Sequence, residues 1–347
     1  SVRWARLVLL SITTDTEPSM TRLRWGILST ARIGIRRVIP AIQRSQTGVV
    51  SAIASRDADR AAEVASRFGI PRAHGTYEGL LADPDVDAIY NPLPNSLHAE
   101  WSIRAARAGK HVLCEKPLAR DADEAQTIVD AAAAAGVFLQ EAFMYRFHPQ
   151  IERVRQLVRD GTVGRLWLVR SGFSFTVGSE NDIRLIPELG GGGLLDVGCY
   201  CVNISRLLLG EPQAVHAAAV YERGVDVRLA GMLVFGGGTA ALLDCGLRAP
   251  DRQFCEVLGE EGVITLPRPF LPGEDPAVIF VRRKGQEERI EIPGTDQYAR
   301  MIDHFGECVL TGGRPHFPPE DAVANMRVLD RLRATSAGEF PIPRPGS

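Results

Sequence analysis

The sequence lacks a marked excess of charge of either sign. Its 347 residues include 40 Lys and Arg against 42 Asp and Glu, which gives a formal net charge of −2 at pH 7. Proteins that hold nucleic acid or anionic membranes by electrostatics need a basic surface, and this composition does not supply one. We therefore expect no nucleic acid and no membrane as partners, but small molecules and further copies of the chain.

Cysteine is also scarce. The six cysteines, at positions 114, 199, 201, 245, 255 and 308, include no Cys-x-x-Cys pair. Several lie in apolar runs, where a thiol behaves as a small hydrophobic group. This pattern predicts reduced thiols, a cytoplasmic location and no metal site.

The first residues differ from the rest of the chain. The apolar run at residues 7–10 is too short to span a bilayer and lacks an Ala-x-Ala-like cleavage site. We expect residues 1–19 to be a disordered extension before a natural start at Met20, with a degenerate secretion signal as the alternative.

Short apolar runs alternate with helical patterns over the first part of the chain, which is typical of the βαβ units of an α/β protein. The predicted strands cover residues 23–28, 49–55, 86–90, 111–115 and 137–140, and the predicted helices 34–45, 59–68, 96–108 and 121–135. Gly48, Gly69, Gly109 and Gly136 each follow a helical pattern, as helix C-caps do. We predict a doubly wound, dinucleotide-binding Rossmann domain over residues 20–142.

The remaining residues, 143–347, form a second predicted domain, because the chain exceeds what one core usually serves. A helix up to Arg159 precedes alternating strand patterns separated by turn signals, which predict an antiparallel sheet in an α+β domain. The predicted strands cover residues 166–175, 215–221, 227–235, 239–247, 254–257, 262–266, 278–281 and 289–292, and two helices follow at 298–310 and 320–334.

The turn after the first strand is short of glycine. The Gly-x-Gly-x-x-Gly spacing falls on Ser29, Ala31 and Gly34, so Ser and Ala replace two of the three glycines. A small residue at 31 still lets the backbone approach a pyrophosphate, and the amides of Thr30, Ala31, Arg32 and Ile33 would point the positive end of a helix at it. Ser29 could add a hydroxyl. A plain strand–helix junction is the alternative.

The end of the second strand bears on the coenzyme. Where an NAD site would carry an acidic residue for the ribose, this chain has Ser55 and Arg56, and Arg60 follows one helical turn later. Two guanidinium groups could hold a 2′-phosphate, so we predict NADP in preference to NAD. Asp57 allows another interpretation, in which it pairs with one of these arginines.

Two further segments carry candidate ligand contacts. Residues 91–101, with two prolines in an extended loop, place Asn91, Leu93, Asn95 and His98 near the middle of the predicted cofactor; turn and capping roles are equally compatible. In residues 110–120, Lys116 follows a buried strand, where ligands collect in α/β sheets, and Pro117 admits a cis peptide that would aim the amine into a cleft. The alternative for Lys116 is a surface turn.

A glycine-rich segment, residues 189–210, is the second important cluster. Asp196 and Tyr200 are four residues apart and so share one helical face, beside glycines that let the backbone approach a ligand. A carboxylate and a phenol presented together indicate a site that handles hydroxyl groups. Core packing for Tyr200 and a cap or salt bridge for Asp196 are the alternatives.

Together, the Glu-Lys-Pro at 115–117, the glycine-rich segment and the first turn resemble the Gfo/Idh/MocA oxidoreductase family from Arg22 onward. The chain is most similar to the branch of dihydrodiol dehydrogenases, D-xylose dehydrogenases and glucose-fructose oxidoreductase. The resemblance implies a Rossmann domain followed by a domain with an open, mainly antiparallel sheet that often forms dimers or larger homo-oligomers. It also implies that Lys116 and Tyr200 are the catalytic pair and that Glu115 lines the cofactor.

The expected function is NAD(P)-dependent hydride transfer between nicotinamide and a carbon of a sugar, polyol or diol. Tyr200 would be the acid/base, Lys116 would polarise the same oxygen and lower the pKa of the phenol, and Asp196 would orient Lys116 or substrate. Arg146 and His148 could contact nicotinamide or substrate hydroxyls, on position alone. An NAD-dependent glycosidase using transient oxidation and a noncatalytic cofactor-sensing regulator are the alternatives.

Overall fold

The computed structural model describes residues 22–336, so the predicted extension at 1–19 lies outside the described residues. The first sheet has six parallel strands in the order β3-β2-β1-β4-β5-β6. These strands are β1 Leu23–Leu28, β2 Gly48–Ala54, β3 Arg72–His74, β4 Ala88–Asn91, β5 His111–Cys114 and β6 Leu139–Glu141. Their connecting helices are α1 Ile39–Arg44, α2 Ala58–Phe68, α3 Tyr77–Leu81, α4 Asn95–Arg107 and α5 Ala122–Ala135. The predicted doubly wound sheet is confirmed, and its strand order reverses between β1 and β4, where such sheets bind ligands.

Three of the four predicted glycine caps are confirmed. Gly69, Gly109 and Gly136 adopt φ values of 64°, 74° and 65°, the left-handed region that glycine enters without steric cost. The prediction for Gly48 was wrong, because this residue begins β2. A Cβ at Gly48 would lie 2.8 Å from the indole nitrogen of Trp25, so close packing explains the glycine.

The second sheet has eight strands in the order β14-β13-β12-β11-β7-β10-β9-β8, and all its neighbours are antiparallel except β7 and β10. The strands are β7 Leu166–Thr176, β8 Ala214–Glu222, β9 Val225–Val234, β10 Ala240–Gly246, β11 Arg248–Gly259, β12 Gly262–Leu266, β13 Ala277–Arg283 and β14 Gln286–Ile292. The helices of this part are α6 Pro149–Arg159, α7 Cys199–Leu209, α8 Gln297–Thr311 and α9 Pro319–Ser336. The predicted mainly antiparallel sheet is therefore confirmed.

The last two helices return to the first sheet. Phe305 of α8 packs on Trp25 of β1 with ring centroids 4.8 Å apart, and Asp303 accepts a 2.6 Å hydrogen bond from the hydroxyl of Ser45. On α9, the carboxylate of Asp330 accepts a 2.8 Å bond from the amide of Ala122 at the start of α5. Both sheets consequently share one continuous apolar core.

One helical stretch of the described residues, Pro187–Leu209, is long and apolar enough to suit a membrane span. However, 78% of its apolar window is buried inside the protein. Helix α7, at its end, packs against β7, β10 and α9, so the stretch is a core element of the fold.

Candidate active site

A cleft of about 490 Å³ lies where the first sheet meets the second. The loops after β1, β4 and β5 form one wall, as expected at the carboxyl ends of parallel strands. The segment before α7 and strand β7 form the opposite wall. The lining residues include Ile33, Leu93, Asn95, His98, Glu115, Lys116, Met144, Phe173, Phe175, Arg184, Asp196, Tyr200, Asp251, Leu271 and Tyr298.

The structure brings Lys116, Asp196 and Tyr200 together in this cleft. The Lys116 amine lies 5.0 Å from the centre of the Tyr200 ring, over its face. The same amine donates to the backbone carbonyl of Asp196 at 2.5 Å and to its carboxylate Oδ1 at 3.2 Å. The peptide bond between Lys116 and Pro117 is cis. Among residues 22–336, two of the three N–H groups of the amine are thus engaged, and one is left for a ligand.

The charges of Lys116 and Asp196 stabilise each other. Burial alone would lower the pKa of Lys116, but negative groups led by Asp196 outweigh it and raise this pKa above its usual value. Burial alone would likewise raise the pKa of Asp196, and the cations of Lys116 and Arg184 reverse this, so its pKa falls. Lys116 is therefore an ammonium and Asp196 a carboxylate throughout the neutral range.

The side chain of Tyr200 packs among other aromatic side chains. Its ring packs edge-on against Phe143 and Phe173, and its hydroxyl lies 3.5 Å from the sulfur of Met144. Burial raises the pKa of Tyr200 well above its usual value. This differs from the expectation that Lys116 lowers this pKa, because burial has the largest effect and nearby groups, Asp196 among them, add to it.

Sequence reasoning missed Arg184. Its Nε donates to Asp196 Oδ2 at 2.7 Å and its Nη1 to Asp182 at 3.2 Å. Asp196 is therefore bracketed by two cations, Lys116 and Arg184. No motif in the sequence marks this residue, because its side chain is placed by the short 3₁₀ turn Ile183–Leu185.

Asp226 on β9 was also missed, although it fixes the glycine-rich entry to the Asp196 segment. Its carboxylate accepts a 2.6 Å hydrogen bond from the amide of Leu194. Gly192, with φ 120°, approaches the same carboxylate so closely that a side chain would collide with it. The π-helical turn Leu194–Gly198 that follows presents Asp196 and leads into α7 with Tyr200. Burial raises the pKa of Asp226 to about 6.

The turn after β1 has the geometry of a phosphate-binding loop. Ser29 adopts φ 75°, a conformation that usually selects glycine, and its hydroxyl accepts a 3.2 Å bond from the amide of Ala31. The chain then enters the π-helical turn Gly34–Val38, which continues into α1. Within residues 22–336, the amides of Thr30, Arg32 and Ile33 therefore stand at a helix start without a side-chain acceptor, which fits a dinucleotide pyrophosphate.

The residues after β2 are arranged as a helix entry. The Ser55 hydroxyl accepts from the amide of Asp57, and Asp57 accepts from the amide of Arg60 at 3.1 Å, so Asp57 is the N-cap of α2. Arg60 pairs with Glu63 at 2.7 Å. Arg56 is exposed and lies near the hydroxyl of Tyr77. Among residues 22–336, Arg60 forms a salt bridge with a carboxylate and Arg56 does not.

The predicted contact residues of the loop after β4 have different surroundings in the structure. Asn91 is fully buried and donates to the His98 carbonyl and the Ser102 hydroxyl, while both ring nitrogens of His98 face backbone carbonyls, those of Pro117 and Leu93. These two side chains hold the loops that form the cleft. Asn95 donates to the Gly190 carbonyl at 2.8 Å across the cleft, and Leu93 lines it.

Glu115 lines the cleft, whereas Arg146 is not among its lining residues. Glu115 lines the cleft and accepts a 2.6 Å bond from the hydroxyl of Tyr90; burial raises its pKa. Arg146 points away from the cleft, where it pairs with Asp321 at 2.5 Å and donates to Asn203. The contact of Arg146 with nicotinamide stays a prediction; in this structure Asp321 of α9 and Asn203 of α7 hold its side chain. His148 is the N-cap of α6 and is also outside the cleft.

Known proteins match both parts of the chain. A family model described as an oxidoreductase family with an NAD-binding Rossmann fold matches residues 23–143, and the Gfo/Idh/MocA C-terminal domain matches residues 151–265. D-xylose 1-dehydrogenase (NADP(+)) 2 of Haloferax volcanii is 42% identical over 89% of this chain and 96% of its own.

Solved structures agree with this match. A 3-ketoreductase from Actinomadura kijaniata, in complex with NADP and TDP-benzene, superposes with a TM-score of 0.87 at 35% identity, covering 91% of this chain and 98% of its own. An aldose-aldose oxidoreductase from Caulobacter crescentus, complexed with glycerol, has a TM-score of 0.85 at 28% identity, over 91% and 97% of the two chains.

Proposed function

Because the chain belongs to the Gfo/Idh/MocA family of oxidoreductases, we propose that it transfers a hydride between NADP and a sugar carbon with Lys116 and Tyr200 as its catalytic pair. The observation that carries the assignment is the position of the Lys116 ammonium over the Tyr200 ring inside the cleft. In the related ketoreductase, crystallised variants replace one lysine and one tyrosine, separated by the same number of residues as Lys116 and Tyr200.

The two side chains divide the work on the reacting oxygen. The coenzyme, when bound, supplies the nicotinamide that gives or accepts the hydride. The free N–H of Lys116 donates to the substrate oxygen and stabilises negative charge on it. Tyr200 gives its proton to that oxygen when a carbonyl is reduced and takes it back when a hydroxyl is oxidised. Asp196 keeps Lys116 charged and aimed, and exchanges no proton.

The coenzyme is NADP. The Ser29–Ile33 turn would hold its pyrophosphate, and the exposed guanidinium of Arg56 would hold the 2′-phosphate. Ser55 supports the turn that carries Arg56. Glu115 and Leu93, on the coenzyme side of the cleft, would line the nicotinamide half.

We also propose a homo-oligomer formed through the outer face of the second sheet. Cross-strand neighbours make a continuous row there: Met232, Leu242, Arg170, Glu256, Thr265 and Phe280. Leu242 is 41% exposed, and Trp167 at the end of β7 is 49% exposed. A partly apolar sheet face of this kind is a typical interface between subunits. A cytoplasmic location is supported by the six cysteines, all buried and free.

The test of the function is direct. Purified protein is mixed with NADP and a panel of aldoses, polyols and diols, and the absorbance of reduced nicotinamide is followed. Stoichiometric formation of reduced coenzyme with at least one sugar is expected. Sugar release without net coenzyme reduction would identify a glycosidase, and binding of NADP without any turnover would identify a regulator.

A further inference from the structure

The charged groups of the cleft pair with one another. Two cations line it, Lys116 and Arg184, and both contact Asp196. Arg184 is held a second time by Asp182 at 3.2 Å. Among residues 22–336, the cleft lining thus contains no cation that lacks a carboxylate partner.

The remaining charges at the cleft are negative. Asp251 lines it and is exposed, and Glu115 adds a carboxyl group on the coenzyme side. The loop that frames the opening, residues 177–189, carries three acidic residues. Glu180 pairs with Arg223 and Arg248, and Asp182 pairs with Arg184, so Glu188 is the one without a cation partner among residues 22–336. A ligand with a second pair of phosphates, beyond those of the coenzyme, would meet the carboxylates of Asp251 and Glu188, which have no cation partner among residues 22–336.

The groups left for a substrate suit neutral hydroxyls. Nη2 of Arg184 has no partner within residues 22–336, and it lies beside the Asp196 carboxylate, so a donor and an acceptor stand together. Phe173, Phe175 and Leu271 supply an apolar wall opposite the coenzyme loops. Convergent polar groups on an apolar wall are typical of sites for small uncharged ligands.

Resting on the proposed hydride transfer, we propose that this cleft selects uncharged sugars, as free aldoses or polyols, and discriminates against sugars joined to a nucleoside diphosphate. The carboxylate of Asp251 and the engagement of both lining cations by Asp196 carry the selection. The family contains both kinds of enzyme, since relatives of this chain are a D-xylose dehydrogenase and reductases of dTDP-linked sugars. The charge of the cleft places this chain with the former.

Competition at saturating NADP tests the proposal. Oxidation of the best free aldose is measured with increasing dTDP-glucose, and binding of dTDP-glucose to the NADP-loaded protein is measured by calorimetry. We expect a dissociation constant for dTDP-glucose at least roughly tenfold above the KM of the free sugar. Micromolar binding of dTDP-glucose that excludes the sugar, or a higher kcat/KM for a dTDP-sugar than for every free sugar, overturns the proposal.

A charge-reversal variant sharpens this test. Asp251→Lys should tighten dTDP-glucose binding by roughly three- to tenfold, because it replaces a repulsion with an attraction at the opening. Glu287→Lys makes the same charge change on β14, outside the cleft, and should leave the binding unchanged. An equal effect of both variants overturns the role of Asp251. Absence of turnover with every sugar refutes the hydride transfer instead, and the binding measurement still decides the selectivity.

Discussion

The ammonium of Lys116 lies 5.0 Å from the centre of the Tyr200 ring in the cleft. Lys116 follows β5 of the first sheet, and Tyr200 lies on α7, which connects β7 to β8 of the second sheet. Removing only the phenolic oxygen should therefore abolish proton exchange while the ring keeps its packing. For Tyr200→Phe we expect kcat to fall by about 10²- to 10⁴-fold with little change in KM, measured by coenzyme reduction with the best sugar. Tyr298→Phe, at the other cleft tyrosine, is the control and should retain most activity. An equal loss in both variants would assign the chemistry elsewhere.

The pH dependence of the reaction should differ between its two directions. Burial holds the pKa of Tyr200 well above its usual value, so the free protein carries the protonated phenol at neutral pH. Reduction, which needs the proton, should proceed without a gain at alkaline pH. Oxidation, which needs the deprotonated oxygen, should accelerate as pH rises beyond 7. Rate profiles in both directions check this, and an oxidation rate that is flat or falling with pH would contradict the assignment.

Coenzyme selectivity should depend on Arg56. A guanidinium–phosphate hydrogen bond is worth about 1.5–3 kcal/mol, so Arg56→Ala should raise the KM for NADP by roughly 10- to 100-fold and leave that for NAD nearly unchanged. Arg67→Ala, at a cation stacked on Phe68 further along α2, is the matched control. Equal loss for both coenzymes would mean that Arg56 supports the fold and not the 2′-phosphate.

Asp226 should make stability depend on pH. Burial raises its pKa from 3.8 to about 6 in the folded protein, so the folded state binds this proton more tightly than the unfolded state. The free energy of unfolding should therefore decrease as pH rises from about 4 to about 6. Asp226→Asn removes that penalty and should be more stable than the wild type at pH 7, by on the order of 1–3 kcal/mol, but not at pH 4.

Thermal unfolding at several pH values measures this difference. Asp121→Asn, at the N-cap of α5, makes the same chemical change and should alter stability by no more than about 1 kcal/mol, because Asn and Asp are similar caps. A less stable Asp226→Asn protein at pH 7 would show that the bond to Leu194 requires the negative charge.

The outer face of the second sheet should hold the oligomer together. Leu242→Asp places a charge in the middle of the cross-strand row and should shift the protein to a monomer in light scattering after gel filtration. Leu310→Asp is the control, because Leu310 on α8 is exposed to nearly the same degree, 40% against 41%. A wild-type protein that is monomeric at micromolar concentration would refute the interface.

Sequence patterns located most of the fold because its strands are apolar and its turns carry glycine. They missed β3 and α3, since a three-residue strand and a five-residue helix offer too few positions for a period to appear. Lys116, Asp196 and Tyr200 stood out because they lie in short motifs. Arg184 and Asp226 did not, because one depends on a 3₁₀ turn and the other on the pairing of distant strands. For Arg146 the sequence offered position alone, and position along the chain does not show where a long side chain points.

The packing of α8 on β1 has a consequence for biosynthesis. Trp25 is fully buried, and part of its cover is Phe305, which the ribosome adds 280 residues later. When the whole first sheet has left the ribosome, this indole is therefore still incompletely covered, and it stays so until α8 emerges. Complete packing of the first sheet thus depends on synthesis of α8, and chaperones have a defined interval in which to act.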